Sequence, residues 1–129
     1  MIVLADDPAL STEAFAELYR AAWGADAGPY VQSVLPRSLA WLGAFAGETL
    51  VGFVNVAWDG GVHAFLLDTM VHPSWRRQGI ARRMVQRASA LARDRGAAWL
   101  HVDYEPQLES FYSGCGFRPT AAGLIRLLE

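Results

Sequence analysis

Between Val71 and Arg83 the chain reads Val-His-Pro-Ser-Trp-Arg-Arg-Gln-Gly-Ile-Ala-Arg-Arg, the end of an apolar strand joined to an amphipathic helix through a glycine-containing, arginine-rich turn. Such a turn suits an anion. The first turn of a helix carries unpaired backbone N–H groups and the positive end of the macrodipole, so a phosphate placed there finds donors and favourable charge together. Gly79 permits close approach of the backbone, and the arginines add charge-assisted donors. All 11 basic residues are arginine, and those at 76, 77, 82, 83, 87, 93 and 95 crowd around this turn and the helix after it. The absence of lysine excludes a lysine-dependent nucleotide loop, pyridoxal chemistry and Schiff-base catalysis.

The arginine concentration suits a polyanionic ligand of limited size, and the later arginines equally suit the solvated face of a helix. A formal charge of −2 argues against a general nucleic-acid binder. The 129 residues, 53% of them hydrophobic, are expected to form one domain over 1–129 that folds alone. With Cys115 as its single cysteine the chain can form no internal disulfide and no cysteine-based metal site, which fits a reducing cytoplasm. Its start lacks a basic, long-apolar export signal, and no run approaches the length of a membrane span.

The elements that must position the turn follow from periodicity. After a short strand, Ser11 caps a helix whose Phe15, Leu18, Tyr19 and Ala22 recur at helical spacing until Trp23-Gly24. A weaker helical piece spans about 28–35, between Pro29 and Pro36. Strands over 38–46, 49–58 and 62–71 are separated by Ala46-Gly47-Glu48 and Asp59-Gly60-Gly61, which predicts an antiparallel meander. From about Gln78 to Arg95, Ile80, Met84, Val85, Ala88, Leu91 and Ala92 form one apolar stripe of a long helix. Residues 97–103 then read as a buried strand parallel to the one before the turn, 106–113 as a short helix, and 123–128 as a closing strand. The expected fold class is α/β with a mixed, mostly antiparallel sheet in the order β-α-α-β-β-β-α-β-α-β.

That order, with the glycine turn after the fourth strand, resembles the GNAT superfamily of N-acetyltransferases. Arg76, Arg77-Gln78, Gly79, Ile80 and Ala81 match its motif of Arg or Gln, two residues, Gly, one residue, and Gly or Ala. Val71-His72-Pro73 precedes that motif, and Phe111-Tyr112-Ser113-Gly114-Cys115-Gly116-Phe117 follows where an aromatic-Tyr-x-x-x-Gly-Phe block is expected. The three blocks in order cover essentially the whole chain.

The resemblance implies acetyl-CoA as co-substrate and no metal. Its pyrophosphate would rest on backbone amides of Gln78, Gly79 and Ala81 and on neighbouring Arg77 and Arg82, with Arg76 and Ile80 completing the motif. The pantetheine arm would run beside Met70-Val71 like an added strand, and the Val71 N–H would face the thioester carbonyl. Tyr112 would be the general acid that protonates the departing thiolate, though a tyrosine between Phe111 and Phe117 also reads as core packing. Many relatives carry asparagine where this chain has Glu105, which puts that side-chain contact to pantetheine in doubt.

An alkylammonium acceptor must lose a proton before attacking a thioester, so a base is needed. Asp68 interrupts the apolar run Phe65-Leu66-Leu67-Asp68-Thr69-Met70, where a carboxylate is costly unless paired or functional. Strand alternation puts His63 on the face of Phe65, Leu67 and Thr69 and opposite to Asp68. His63 can titrate in the useful range or simply pack. His101, Asp103 and Glu105 bring further titratable groups to the next strand, and His72 is expected to be exposed. No ligand cluster of metal-binding spacing occurs. Cys115, between two glycines and with no adjoining histidine, reads as a packing residue.

Tyr19, Trp23, Asp26, Tyr30, Trp41 and Trp58 could wall an amine site or serve as core. The expected function is direct acetyl transfer from acetyl-CoA to a primary amine of a small molecule or peptide. The alternatives are a non-catalytic acyl-CoA-binding module and an RNA-binding arginine helix, neither membranes nor nucleic acids being the favoured partner. Exposed strands and Leu124, Ile125, Leu127 and Leu128 offer a means of pairing two subunits.

Overall fold

The computed structural model describes residues 1–128. Its strands are β1 (Ile2–Asp6), β2 (Ala40–Ala46), β3 (Thr49–Trp58), β4 (His63–Val71) and β5 (Trp99–His101); its helices are α1 (Thr12–Trp23), α2 (Tyr30–Ser33), α3 (Ile80–Asp94) and α4 (Glu109–Gly114). The strands form one sheet in sequence order, antiparallel except for the β4–β5 pair. The mixed α/β architecture is therefore the expected one.

Local chemistry sets the boundaries. The Ser11 hydroxyl accepts from the Ala14 N–H at 3.0 Å, and Gly24 in the left-handed region ends α1. One face of the sheet packs on α1 and α2 through Phe15, Leu18, Leu35, Leu50, Phe53 and Met70. The other packs on α3 through Met84, Val85, Ala88 and Leu91, with Tyr112 of α4 joining the same core. Gly52 is what lets α3 lie so close, since a Cβ there would come within 3.1 Å of the Met84 side chain.

Three expectations need correction. The closing strand over 123–128 does not form, and Leu124, Ile125, Leu127 and Leu128 are all at least 78% exposed. The apolar residues of Gly-Leu-Ile-Arg-Leu-Leu come in adjacent pairs, so no single face of a strand collects them. The fifth strand is shorter than 97–103 and is not buried: it pairs with β4 only from His63↔Trp99 to Phe65↔His101, and Trp99 is 57% exposed. It lies at the edge of the sheet with no further strand beyond it.

The third correction concerns β4. Leu67 pairs with Asn55 and Met70 with Phe53, so Asp68 and Thr69 together oppose Val54 alone. This is a β-bulge, with Asp68 at φ 58. Short polar residues such as aspartate tolerate the left-handed region better than β-branched ones. The inserted residue inverts the alternation: Leu66 packs toward α3, whereas Met70, four residues on, packs toward α1. Thr69 consequently leaves the face of His63, Phe65 and Leu67, and Asp68 turns toward α2.

Candidate active site

A cavity of about 550 Å³ opens where β4 ends and α3 begins. Its walls contain Met70, Val71, Arg76, Arg77, Gly79 and Ile80, together with Ala81, Arg82 and Tyr112. Nine residues singled out from the sequence thus meet in one place. Trp23, Thr69, Trp75, Leu108 and Phe111 complete it. Phe111 sits inside a matched motif and Trp75 between two of them, but nothing in the local sequence marks Trp23 or Leu108 as neighbours of the turn.

The cavity floor is main chain. Gly79 caps α3 at φ 76 with no side-chain hydrogen bond, and the first helical bond is donated by the Arg83 N–H to the Gly79 carbonyl at 3.1 Å. The amides of Ile80, Ala81 and Arg82 precede that bond and have no helical partner. Arg77 is left-handed as well, at φ 63, so the turn folds its N–H groups into a concave nest. A Cβ on Gly79 would meet nothing within 4 Å, which leaves the space above the amides open.

Val71 is turned toward the same cavity. The His72 N–H donates to the Val51 carbonyl at 2.8 Å, which makes Val71 and Gly52 a non-hydrogen-bonded pair. The N–H and C=O of Val71 therefore point away from β3, toward the side where β5 has already parted from β4. Arg76 Nε donates to that carbonyl at 3.1 Å, so the N–H is left as the free group.

Not every arginine is available to a ligand. Arg76 also reaches the Ala22 carbonyl at 3.4 Å, and Arg82 donates to the Gly114 carbonyl at 2.8 Å, tying α3 to the end of α4. His72 Nδ1 accepts from the Ser74 N–H and shapes the turn. Gln78 and Glu105 are exposed and stand outside the cavity wall.

Tyr112 is 7% exposed, stacked on Tyr104 with ring centroids 4.9 Å apart and edged by Phe111 and Phe117. Burial raises its pKa above the ordinary tyrosine value, while a hydrogen bond with Thr69 works the other way. It therefore keeps its proton over the physiological range. Burial likewise raises the Cys115 thiol, opposed by Arg82, so Cys115 is a protonated packing residue.

Of the candidate bases, Asp68 adjoins Thr69 of the cavity wall in the chain without itself lining the wall, its Oδ2 accepting from the Tyr30 hydroxyl at 2.6 Å. His63 lies eight residues before Val71, about 26 Å along an extended strand. Its Nδ1 is 2.9 Å from His101 Nε2, and the His101 ring stacks on Phe65. The structure does not bring that pair to the cavity.

The sequence pattern of the acetyltransferase (GNAT) family matches residues 10–117. The chain belongs to the GNAT acetyltransferase family. A mycothiol acetyltransferase of Mycobacterium marinum is 33% identical over 73 residues, 57% of this chain and 22% of that protein. The chain thus spans about a fifth of that relative's length. A GNAT-family acetyltransferase of Streptococcus pneumoniae superposes with a TM-score of 0.84 at 25% identity, covering 99% of this chain and 98% of the other. AAC(6')-Iy, solved with a CoA-containing bisubstrate analogue, gives a TM-score of 0.78 at 16% identity over 100% of this chain and 99% of its own, a likeness of fold. The GNAT match stops at Phe117, the last residue packed against the core before the exposed segment.

Proposed function

We propose that the chain catalyses direct transfer of an acetyl group from acetyl-CoA to a primary amine of a small molecule or peptide, in a ternary complex. The observation that carries this reading is the convergence on one cavity of three groups: the free Val71 N–H, the uncapped first turn of α3 and the protonated Tyr112. The residues fit the co-substrate, because the nest and helix N-terminus suit a pyrophosphate and the outward N–H of Val71 suits a thioester carbonyl.

Acetyl-CoA supplies the activated acyl group. The amides of Ile80, Ala81 and Arg82 hold its phosphates, with Arg77 adding charge. Val71 N–H donates to the carbonyl oxygen as negative charge develops there; one such donor is worth about 3 kcal/mol in acyl transfer. Tyr112 gives its phenolic proton to the leaving sulfur. Asp68 takes the proton that the acceptor nitrogen must lose, at the bulge just before Val71.

Calorimetry with acetyl-CoA and with CoA, combined with thiol release across a panel of primary amines, tests the whole reading. Micromolar binding and amine-dependent thiol release are expected. Binding without release on any amine leaves only a non-catalytic acyl-CoA-binding module, and no binding below the millimolar range removes the assignment of the cavity.

A further inference from the structure

Tyr30 opens α2 and stands 38 positions before Asp68, yet its hydroxyl donates to Asp68 Oδ2 at 2.6 Å. Its ring has little freedom. It stacks on Phe15 with centroids 4.7 Å apart and planes at 19°, and it meets the edge of Phe53 at 5.8 Å. Phe15 and Phe53 are themselves fully buried, so the phenol is held on two sides by rings that cannot yield.

Beside it lies Asn55, a polar side chain that is only 1% exposed. Asn55 Oδ1 accepts from the Ser38 hydroxyl at 2.6 Å, whereas its Nδ2 has no hydrogen-bond partner among the described residues. Burial first, and then the Asp68 carboxylate, push the Tyr30 pKa far above its ordinary value, with Asn55 opposing. Tyr30 thus keeps its proton beyond the ordinary tyrosine range and serves Asp68 as an O–H donor. A fixed donor that occupies one oxygen of Asp68 leaves the other, Oδ1, as the free basic site.

We propose that Tyr30 is a positioning residue for the reaction: its hydroxyl locks the Asp68 carboxylate so that Oδ1 faces the acceptor nitrogen. This rests on the reading of Asp68 as proton acceptor. The lock matters because Asp68 sits on a bulge in the left-handed region, where the backbone alone does not hold the side chain. Its proton balance is closed. The ammonium first gives one proton to water; the neutral amine's N–H proton then passes to Asp68 Oδ1 as the C–N bond forms, the C–S bond breaks and the sulfur takes the Tyr112 proton. Asp68 then releases its proton to water and Tyr112 regains one, while the Tyr30 hydroxyl keeps its own throughout. The lock also joins the α1–α2 segment to the strand that carries Val71, so the wall of the acceptor side and the base move as one.

The test is a double-mutant cycle of Tyr30→Phe and Asp68→Asn, assayed by thiol release from acetyl-CoA with glycylglycine, spermidine and phenethylamine as acceptors. Tyr30→Phe keeps the ring stack and is expected to lower kcat/KM for the accepted amine about tenfold, as for loss of one hydrogen bond to a charged group. The KM and calorimetric Kd for acetyl-CoA should stay within about twofold, which also reports an intact fold. In the Asp68→Asn background the same substitution should cost nothing further. If Asp68→Asn leaves turnover intact, or if none of the amines releases thiol, the reading of the base fails and this inference with it. Should Asp68→Asn cripple turnover while Tyr30→Phe is neutral, or should the two losses multiply, the base stands and Tyr30 does not act through it.

Discussion

On the side of the cavity formed by β4 and α3, the groups proposed to meet a ligand are main-chain amides, those of Val71 and of the first turn of α3. Behind the bulge, outside the cavity wall, the clustered polar groups are side chains, Tyr30, Asn55 and Asp68, drawn from α2, β3 and β4. The first arrangement asks of the sequence only a turn geometry and one residue free to adopt φ 76. The second asks for particular side chains at positions far apart in the chain. Backbone recognition therefore leaves a compact motif, and side-chain recognition leaves none.

Substitutions on the two sides should separate cleanly. The largest effect is expected from Tyr112→Phe, which removes the acid and should lower kcat at least about a hundredfold while leaving the acetyl-CoA Kd unchanged by calorimetry. Next comes Gly79→Val: a β-branched residue forced to a positive φ strains the nest and fills the space above the amides. Acetyl-CoA binding should weaken about tenfold or more, with the KM of the amine nearly unmoved. An equal loss on both substrates would show that the two sides are not independent.

Thr69 sharpens the comparison because it shares the bulge with Asp68 yet serves Tyr112. Thr69→Val should lower kcat about fivefold, the size of one net hydrogen bond, without changing the preference among amines. The pH profile offers a smaller signal. Tyr112 acts in its protonated form and burial raises its pKa, so the loss of acid moves to higher pH. The kcat of a saturated enzyme should stay flat up to about pH 10, the ordinary tyrosine value; a decline centred near pH 8 would take the acid role away from Tyr112. Smallest of all, removing residues 119–129 should shift Tm by no more than about 2 °C in calorimetry, since Leu124, Ile125, Leu127 and Leu128 stand in solvent.

The same contrast explains what was legible in the sequence. The α3 stripe from Ile80 to Ala92, the hairpins of the meander and the nest around Gly79 could be read because each is encoded in one continuous stretch of chain. The bulge could not: aspartate within an apolar run looks like any buried carboxylate, and strict alternation put Asp68 and Thr69 on the wrong sides. Tyr30 was grouped with aromatic wall residues, but its bond to Asp68 spans 38 positions and has no local pattern. Arg76 and Arg82 stood in and beside the motif, yet the distant backbone carbonyls that also hold them lie at Ala22 and Gly114. The predicted strand over 123–128 rested on composition alone and lacked the alternation that would give it a face.

The extra residue at Asp68 has a consequence for how this protein tolerates change. By sequence count β4 reads as two short strands in opposite phase, and the pairing of Met70 with Phe53 and of Val71 with Gly52 is what orients the stretch that follows. A substitution at 68 alters one side chain, and a deletion there would set Leu67, Thr69, Met70 and Val71 one to one against Asn55, Val54, Phe53 and Gly52, a regular strand in which every later residue keeps its face. Met70 would keep its place in the cluster with Phe15 and the amide of Val71 would stay turned away from β3, while the carboxylate and its bond to Tyr30 would be lost. The extra residue is dispensable for the phase of the strand, and what it adds is one carboxylate held at a left-handed position.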